Sequence, residues 1–534
     1  MIPDLSKDTF GRPLTRRQVL HGAAIGGLAA VSGGLLSACG GGSPTPADSP
    51  AGGTPKAGGS LRVGVAGGSA KDTIDAHLGG TTDPDIARGI QLFEPLAMRN
   101  KDFKLEMVLA ESIEPRNNHP DQWLVKIRKG VQFHNGKALG IEDVIFSIRR
   151  IVDPKNPGTG ASSLAGIDLK NMKKLDERTL LLPLKAPDSG FPDQIGQYFN
   201  TIVPVGYDPK KPVGTGPFKY KSFTPGEQSV FVRNENYWQS GLPLLDEVVI
   251  IDFADDTARV NALMGGQVDA ISNLPPAQIS SLEAGGSARA LVAETGGWQP
   301  LLMRVDQKPF DDVRVRQAFK LIVDRKQMVQ QALAGQGRVA NDIYSPYDPS
   351  YDSELPQRHQ DLDQARSLLA KAGQSDLTIA LTTAPFHSGV VEAAQIFAQQ
   401  AKGAGVQVQV KKVNEATYWG PNYLKWTFSQ DFWFTRTFLA QVAQGNLPSA
   451  PYNQTHWNDQ RWQKMYAQAK AELDEAKRTD IIHRMQRLQW DEGGEIIWSF
   501  SNQIDAVSTK LSGLEPAKSG IPLMSYDFKH ASLT

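Results

Sequence analysis

The chain of 534 residues has a single cysteine, Cys39. That excludes an intrachain disulfide, multi-cysteine zinc sites and iron–sulfur clusters. It also lacks an excess of one charge: 57 Lys and Arg stand against 57 Asp and Glu. A nucleic-acid partner is therefore not expected, since such binders gather a basic excess. Catalytic signatures are missing too. There is no Gly-x-Ser-x-Gly elbow, no phosphate-binding Walker loop and no His-x-x-x-His pair; His134, His387 and His456 each stand alone. The segment Gly335-Gln336-Gly337-Arg338-Val339-Ala340 has the spacing of a dinucleotide fingerprint, but it follows a predicted helix where that motif requires a strand. Adjacent acids such as Asp255-Asp256 read as solvated surface. No enzyme, no cofactor and no metal site are expected. Long hydrophobic runs are scarce as well. The uncharged stretch Gly22 to Leu36 is shorter and milder than the roughly 20 apolar residues that a membrane span requires.

What is present begins with that stretch. Arg16-Arg17 precede it and small residues follow it, the layout of a signal peptide. The arginine pair resembles a twin-arginine export signal, with Val19 where an aromatic is usual. Leu36-Ser37-Ala38-Cys39 resembles the bacterial lipobox, in which the cysteine thiol takes a diacylglyceryl group and becomes the first mature residue. Cys39 is thus the expected lipidation site, and two or more acyl chains anchor stably where one does not. Residues 40–59 hold Gly, Ser, Pro, Thr and Ala with almost nothing to pack, and read as a flexible linker.

The rest is too long for one core, so two or three domains are expected. Alternation marks Leu61 to Val65 and "VQVQVKKV" as strands, and "RTLLLPL", "LDEVVIIDF" and "DLTIALTTA" are strand-rich. Helices are predicted at Ile141 to Arg150, Thr257 to Gly265, Val313 to Leu333, Leu362 to Ala372, Val390 to Lys402 and Arg461 to Gln489. The class is α/β with mixed sheets.

Six segments in order carry a resemblance: "IRKGVQFHNGKALGIEDVIFSIRRIVDP", "PVGTGPFKY", "LDEVVIIDFADDTARVNALMGGQVDAI", "KPFDDVRVRQAFKLIVDR", "SAPYNQTHWND" and "AELDEAKRTDIIHRMQRLQWDEGGEI". Together they resemble the solute-binding lipoproteins of peptide, dipeptide, opine and nickel ABC importers. The resemblance implies a two-lobed hinged fold of the periplasmic-binding-protein type, the large form with an inserted subdomain. Residues 60–88, 208–299 and 504–534 are expected to form the first lobe, 89–207 its inserted subdomain, and 300–503 the second lobe. The implied partners are a small solute, the permease subunits and, through the anchor, a membrane. A monomer is expected, exported and held on the outer face of the cytoplasmic membrane or in the periplasm.

The resemblance also directs attention to Asp431-Phe432-Trp433-Phe434-Thr435-Arg436. Peptide binders of the family commonly place there an aspartate that holds the peptide's α-ammonium. Here Arg436 takes that place, and Asp431 is displaced in register. An arginine favours a carboxylate or phosphate, which it grips with two parallel hydrogen bonds. Trp433, Trp419, Tyr418 and Trp298 are the aromatic candidates for the cleft, and Phe386-His387 a candidate loop. The resulting expectation is capture of a peptide-like or opine-like anionic solute. A ligand-presenting sensor, a nickel-chelate binder and an exported hydrolase are the alternatives.

Overall fold

A computed structural model describes residues 56–534. The predicted export signal, Cys39 and nearly all of the linker lie outside the described residues. The alternation of Ser60–Ala66 sets Leu61, Val63 and Val65 in the core, and makes this strand the middle of a large mixed sheet. Its parallel neighbours are Glu247–Phe253 and Ala270–Ile271. Outside these lie Gln228–Arg233 and Phe218–Thr224 on one side, and Ser499–Ser508 and Ala288–Gly297 on the other.

The last two strands run to the place where the resemblance puts the crossings between the lobes. They pair antiparallel from Ala288 opposite Ser508 to Glu294 opposite Asn502, and a bulge then shifts the register so that Gly297 faces Ser501. Beyond it, the first segment continues into Leu301–Met303, the middle strand of a small sheet flanked by Phe428–Gln430 and Glu495–Ile496. That sheet packs with helices Val313–Ile322 and Val390–Lys402 around Phe319, Phe397 and Phe428. The parallel pair Thr378–Thr383 and Gln407–Lys412 completes this side.

A third unit is a four-stranded antiparallel sheet, Ala110–Arg116, His119–Ile127, Thr179–Pro183 and Lys173–Lys174. Helix Ile141–Ile151 covers it through Val144 and Ile148. The helix Asp83–Leu92 runs through the expected boundary near residue 88, and Leu92 and Phe93 pack in the core of the large sheet.

Two helices expected to be continuous are broken. Val313 to Leu333 divides into Val313–Ile322 and Arg325–Ala332, because Asp324 leaves the helix and its carboxylate accepts from the Gln327 N–H at 3.0 Å. Arg461 to Gln489 divides in the same way into Gln460–Ala471 and Glu475–Glu492, with Asp474 accepting from the Lys477 N–H at 3.0 Å. An aspartate gains more as an N-cap than as an interior residue. Gly335 to Ala340 forms a turn and the short strand Gly337–Val339, and no helix opens there. Gly214 and Gly216 are required by close approach rather than by turn freedom: a Cβ would lie 2.0 Å from the Leu92 carbonyl oxygen at the first and 2.4 Å from that of Gln91 at the second. Among the described residues, no helix is long and apolar enough to cross a membrane.

Candidate ligand site between the lobes

The crossing segment and the second lobe are zipped together at Trp298. Its N–H donates to the Trp433 carbonyl at 3.0 Å, and the Trp433 N–H donates back at 2.9 Å. This bridge starts a column of stacked rings. Trp298 stacks on Tyr344 at 5.3 Å and on Trp433 at 6.1 Å, and Tyr344 stacks on Phe438 at 5.1 Å. The Tyr344 hydroxyl donates to Asn446 at 2.9 Å, whose amide donates to Glu495 at 2.7 Å. The column is therefore tied to the core at one end. At the other end lies Arg436, its guanidinium carbon 5.9 Å from the Trp433 ring. Such stacking orients a guanidinium without neutralising it.

Arg436 makes no ion pair among the described residues, and its Nε is enclosed without a hydrogen-bond partner. Burial pushes its pKa down. It lines a cavity of about 100 Å³ with Phe434 and Thr437 from its own loop, and Ile90, Phe103 and Tyr198 from across the cleft. A second cavity of about 550 Å³ lies beside it. The two share Ile90, Met98, Arg99, Tyr198 and Ser525 as wall residues.

Ser525 belongs to a strained turn. Leu523, Met524, Ser525 and Tyr526 all have left-handed backbones, with φ of 49°, 58°, 60° and 56°, a conformation that costs roughly 1–2 kcal/mol per non-glycine residue. Asp505, on a crossing strand, accepts from the Leu523 N–H at 2.6 Å, and Gln91 donates to the Tyr526 carbonyl at 2.9 Å. The wall of the cavity is thus fastened to a crossing strand and to helix Asp83–Leu92.

With this geometry in view, comparison with known proteins is decisive. The family model described as "Bacterial extracellular solute-binding proteins, family 5 Middle" matches residues 104–440. The chain belongs to this family. It is a binding protein rather than an enzyme, and as a family 5 protein it is the extracytoplasmic solute-binding component of an ABC importer. It is 25% identical over 409 residues to Di/tripeptide-binding protein 1 of Pseudomonas aeruginosa, covering 68% of this chain and 74% of that protein. It is 26% identical over 486 residues to the glutathione-binding protein GsiB of Escherichia coli, covering 84% and 91%. The solved structure of AgaA with agropinic acid, from Agrobacterium tumefaciens R10, superposes with a TM-score of 0.74 at 23% identity, over 89% of this chain and 99% of that one.

In this family 5 protein the candidate residues fall into two groups. Trp298, Trp433 and Arg436 form the column. Phe386, His387, Tyr418 and Trp419 form an aromatic cluster, with Phe386 5.0 Å from Tyr418 and 4.9 Å from Trp419, and His387 5.5 Å from Phe432. The Tyr418 hydroxyl is tied to the backbone of Gln430, as donor to its carbonyl and acceptor from its N–H, so Tyr418 supports the cluster from inside. Gln299, next to Trp298, lies 2.7 Å from the His387 Nδ1. Asp431 is 4% exposed and does not line the Arg436 cavity. It accepts from Tyr423 at 3.0 Å, from Gln454, and from the Phe432 N–H at 2.7 Å. With no cation beside it, burial pushes its pKa up to about 7.

Of the eight residues proposed from sequence, Arg436 alone lines the cavity directly. Phe103, Tyr198 and Phe434 were not singled out. Phe434 lay within the stretch already under attention. Tyr198 and Phe103 come from segments with no motif, and only the fold carries them to the cleft.

Proposed function

We propose that the protein captures a small peptide-like or opine-like solute bearing an acidic group, holds it between the lobes with Arg436, and delivers it to the permease. The observation that carries this reading is a half-buried guanidinium with no ion pair among the described residues, its Nε enclosed and unpartnered. A partly desolvated charge without a partner is costly, and an incoming carboxylate or phosphate offsets that with paired, charge-assisted hydrogen bonds. The di- and tripeptides, glutathione and agropinic acid named for the relatives all carry a carboxylate, which agrees. The same reading holds the mature protein to the membrane by lipid on Cys39, with residues 40–59 as a tether.

Native mass spectrometry of protein purified from its own cells tests the solute. A co-purified molecule with an acidic group is expected, and Arg436→Ala should weaken its binding at least tenfold. A bound molecule with no acidic group, or unchanged affinity in the variant, rejects the role of Arg436. The anchor is tested separately. Cys39→Ser should move the protein from the membrane fraction to the soluble extracytoplasmic one; continued membrane retention overturns it.

A further inference from the structure

Rings and aliphatic groups make up much of the wall around Arg436. Ile86 and Ile90 come from one face of helix Asp83–Leu92, Phe103, Tyr198 and Phe199 from the same side of the cleft, and Phe434 from the second lobe. Phe434 is 44% exposed, unusual for a phenylalanine of a folded core. Its ring stands edge-on to Phe432 at 5.8 Å, and Phe432 leads back to the aromatic cluster.

Apart from Arg436 and the Thr437 hydroxyl, most polar groups of the wall already have partners. The Tyr198 hydroxyl donates to the Gly80 carbonyl at 2.9 Å. Arg99 pairs with Asp193 at 2.5 Å and donates to the Phe103 carbonyl. Ser519 and Ser525 bond each other at 2.8 Å. Thr435 accepts from the Gly296 N–H at 2.8 Å and donates to the Lys518 carbonyl at 2.6 Å. Asp83 accepts from the Asn273 amide. A polyhydroxylated body entering here would lose water and find few free partners. A flat apolar body would bury its surface against rings and gain by it.

Resting on the Arg436 reading above, we propose that this cavity selects an organic anion whose acid group is joined to a ring or comparably flat apolar body, in preference to one with a sugar-like polyol body. The cavity itself, about 100 Å³, is smaller than the roughly 150 Å³ that accommodates benzene in an apolar interior. A ring therefore fits only with movement of a wall side chain, and the exposed Phe434 is the wall ring with most freedom to move.

The test uses protein freed of bound solute by unfolding and refolding, titrated calorimetrically with four probes. N-phenylacetylglycine, N-acetylglycine and N-gluconoylglycine share one carboxylate and differ in body; N-phenylacetylglycinamide keeps the ring and lacks the charge. N-phenylacetylglycine is expected to bind at least tenfold tighter than the other two acids. Phe434→Ala should remove that margin, and Tyr198→Leu should reduce it. Equal affinity for the three acids, tighter binding of the gluconoyl probe, a margin that survives Phe434→Ala, or no binding of any acid at millimolar concentration overturns the proposal. If the acids bind alike but far tighter than the amide, the Arg436 reading stands and only the ring preference falls. If the amide binds as tightly as its acid, the Arg436 reading falls with it.

Discussion

The Asp431 carboxyl is enclosed by hydrogen-bond donors with no cation in reach, and this makes the folded protein sensitive to pH. Its folded pKa, about 7, lies above the ordinary value of 3.8. The native state therefore holds the proton more tightly than the unfolded chain. The stabilisation from this group is fully present below the ordinary value and is lost as pH rises through about 7. Asp431→Asn removes that dependence. The melting temperature of the parent relative to the variant should fall between about pH 4 and about pH 7 and level off above; a difference that rises or stays flat across that window counts against the buried carboxyl. Trp298 poses a packing question at the same scale. It is 1% exposed and stacked on both faces, so Trp298→Ala should destabilise by about 3–5 kcal/mol in urea unfolding. Removing it also removes the support under Trp433, so Arg436 should bind its solute more weakly. These residues were legible for different reasons. Tryptophan is rare enough to attract notice, and an arginine in place of an expected acid is conspicuous. Tyr198 offered neither signal.

Among elements, periodicity located the helices but not where two of them break. Apolar spacing continues through Val323 and across residues 472–474, so the pattern alone predicts one helix where there are two. Local hydrogen bonding by Asp324 and Asp474 decides it. Asp324→Ala should lower stability by about 1 kcal/mol, the usual worth of an N-cap, measured by denaturant titration. Two glycines around a threonine before a proline suggest turn freedom, whereas the structure shows two carbonyl oxygens of a neighbouring helix pressed against Gly214 and Gly216. Gly214→Ala is expected to lower the melting temperature sharply, because a backbone carbonyl rather than a flexible side chain must yield. A melting temperature within a degree or so of the parent's would show that helix Asp83–Leu92 shifts freely.

For the whole molecule, the unit built on the four-stranded sheet touches the second lobe directly. Lys470 pairs with Asp188 at 2.6 Å, and the Ser189 N–H donates to the Lys470 carbonyl at 2.6 Å. The Ser189 hydroxyl also donates to the Ala469 carbonyl at 3.2 Å. The last carbonyls of helix Gln460–Ala471 are thus capped by a segment some 280 residues away in sequence. A contact that bridges the two parts in this way favours the arrangement seen here over one in which they move apart. Lys470→Ala should enlarge the radius of gyration seen by small-angle scattering and weaken solute binding several-fold. An unchanged scattering profile would show that closure does not depend on the pair.

The sequence by itself determined the elements, the α/β class and the family. These rest on local patterns of burial and turn chemistry that repeat in order along the chain. It also drew attention to Trp298, Trp433 and Arg436, where residue type alone carries meaning. What only the tertiary structure decided is the cavity. Its walls come from residues 83–103, 196–199, 434–440 and 519–525, segments separated by up to hundreds of positions. It also decided that Arg436 pairs with no carboxylate among the described residues while Asp431 is enclosed by donors. Pairing and burial of a charge depend on what the fold brings within a few ångströms, and spacing along the chain does not encode that.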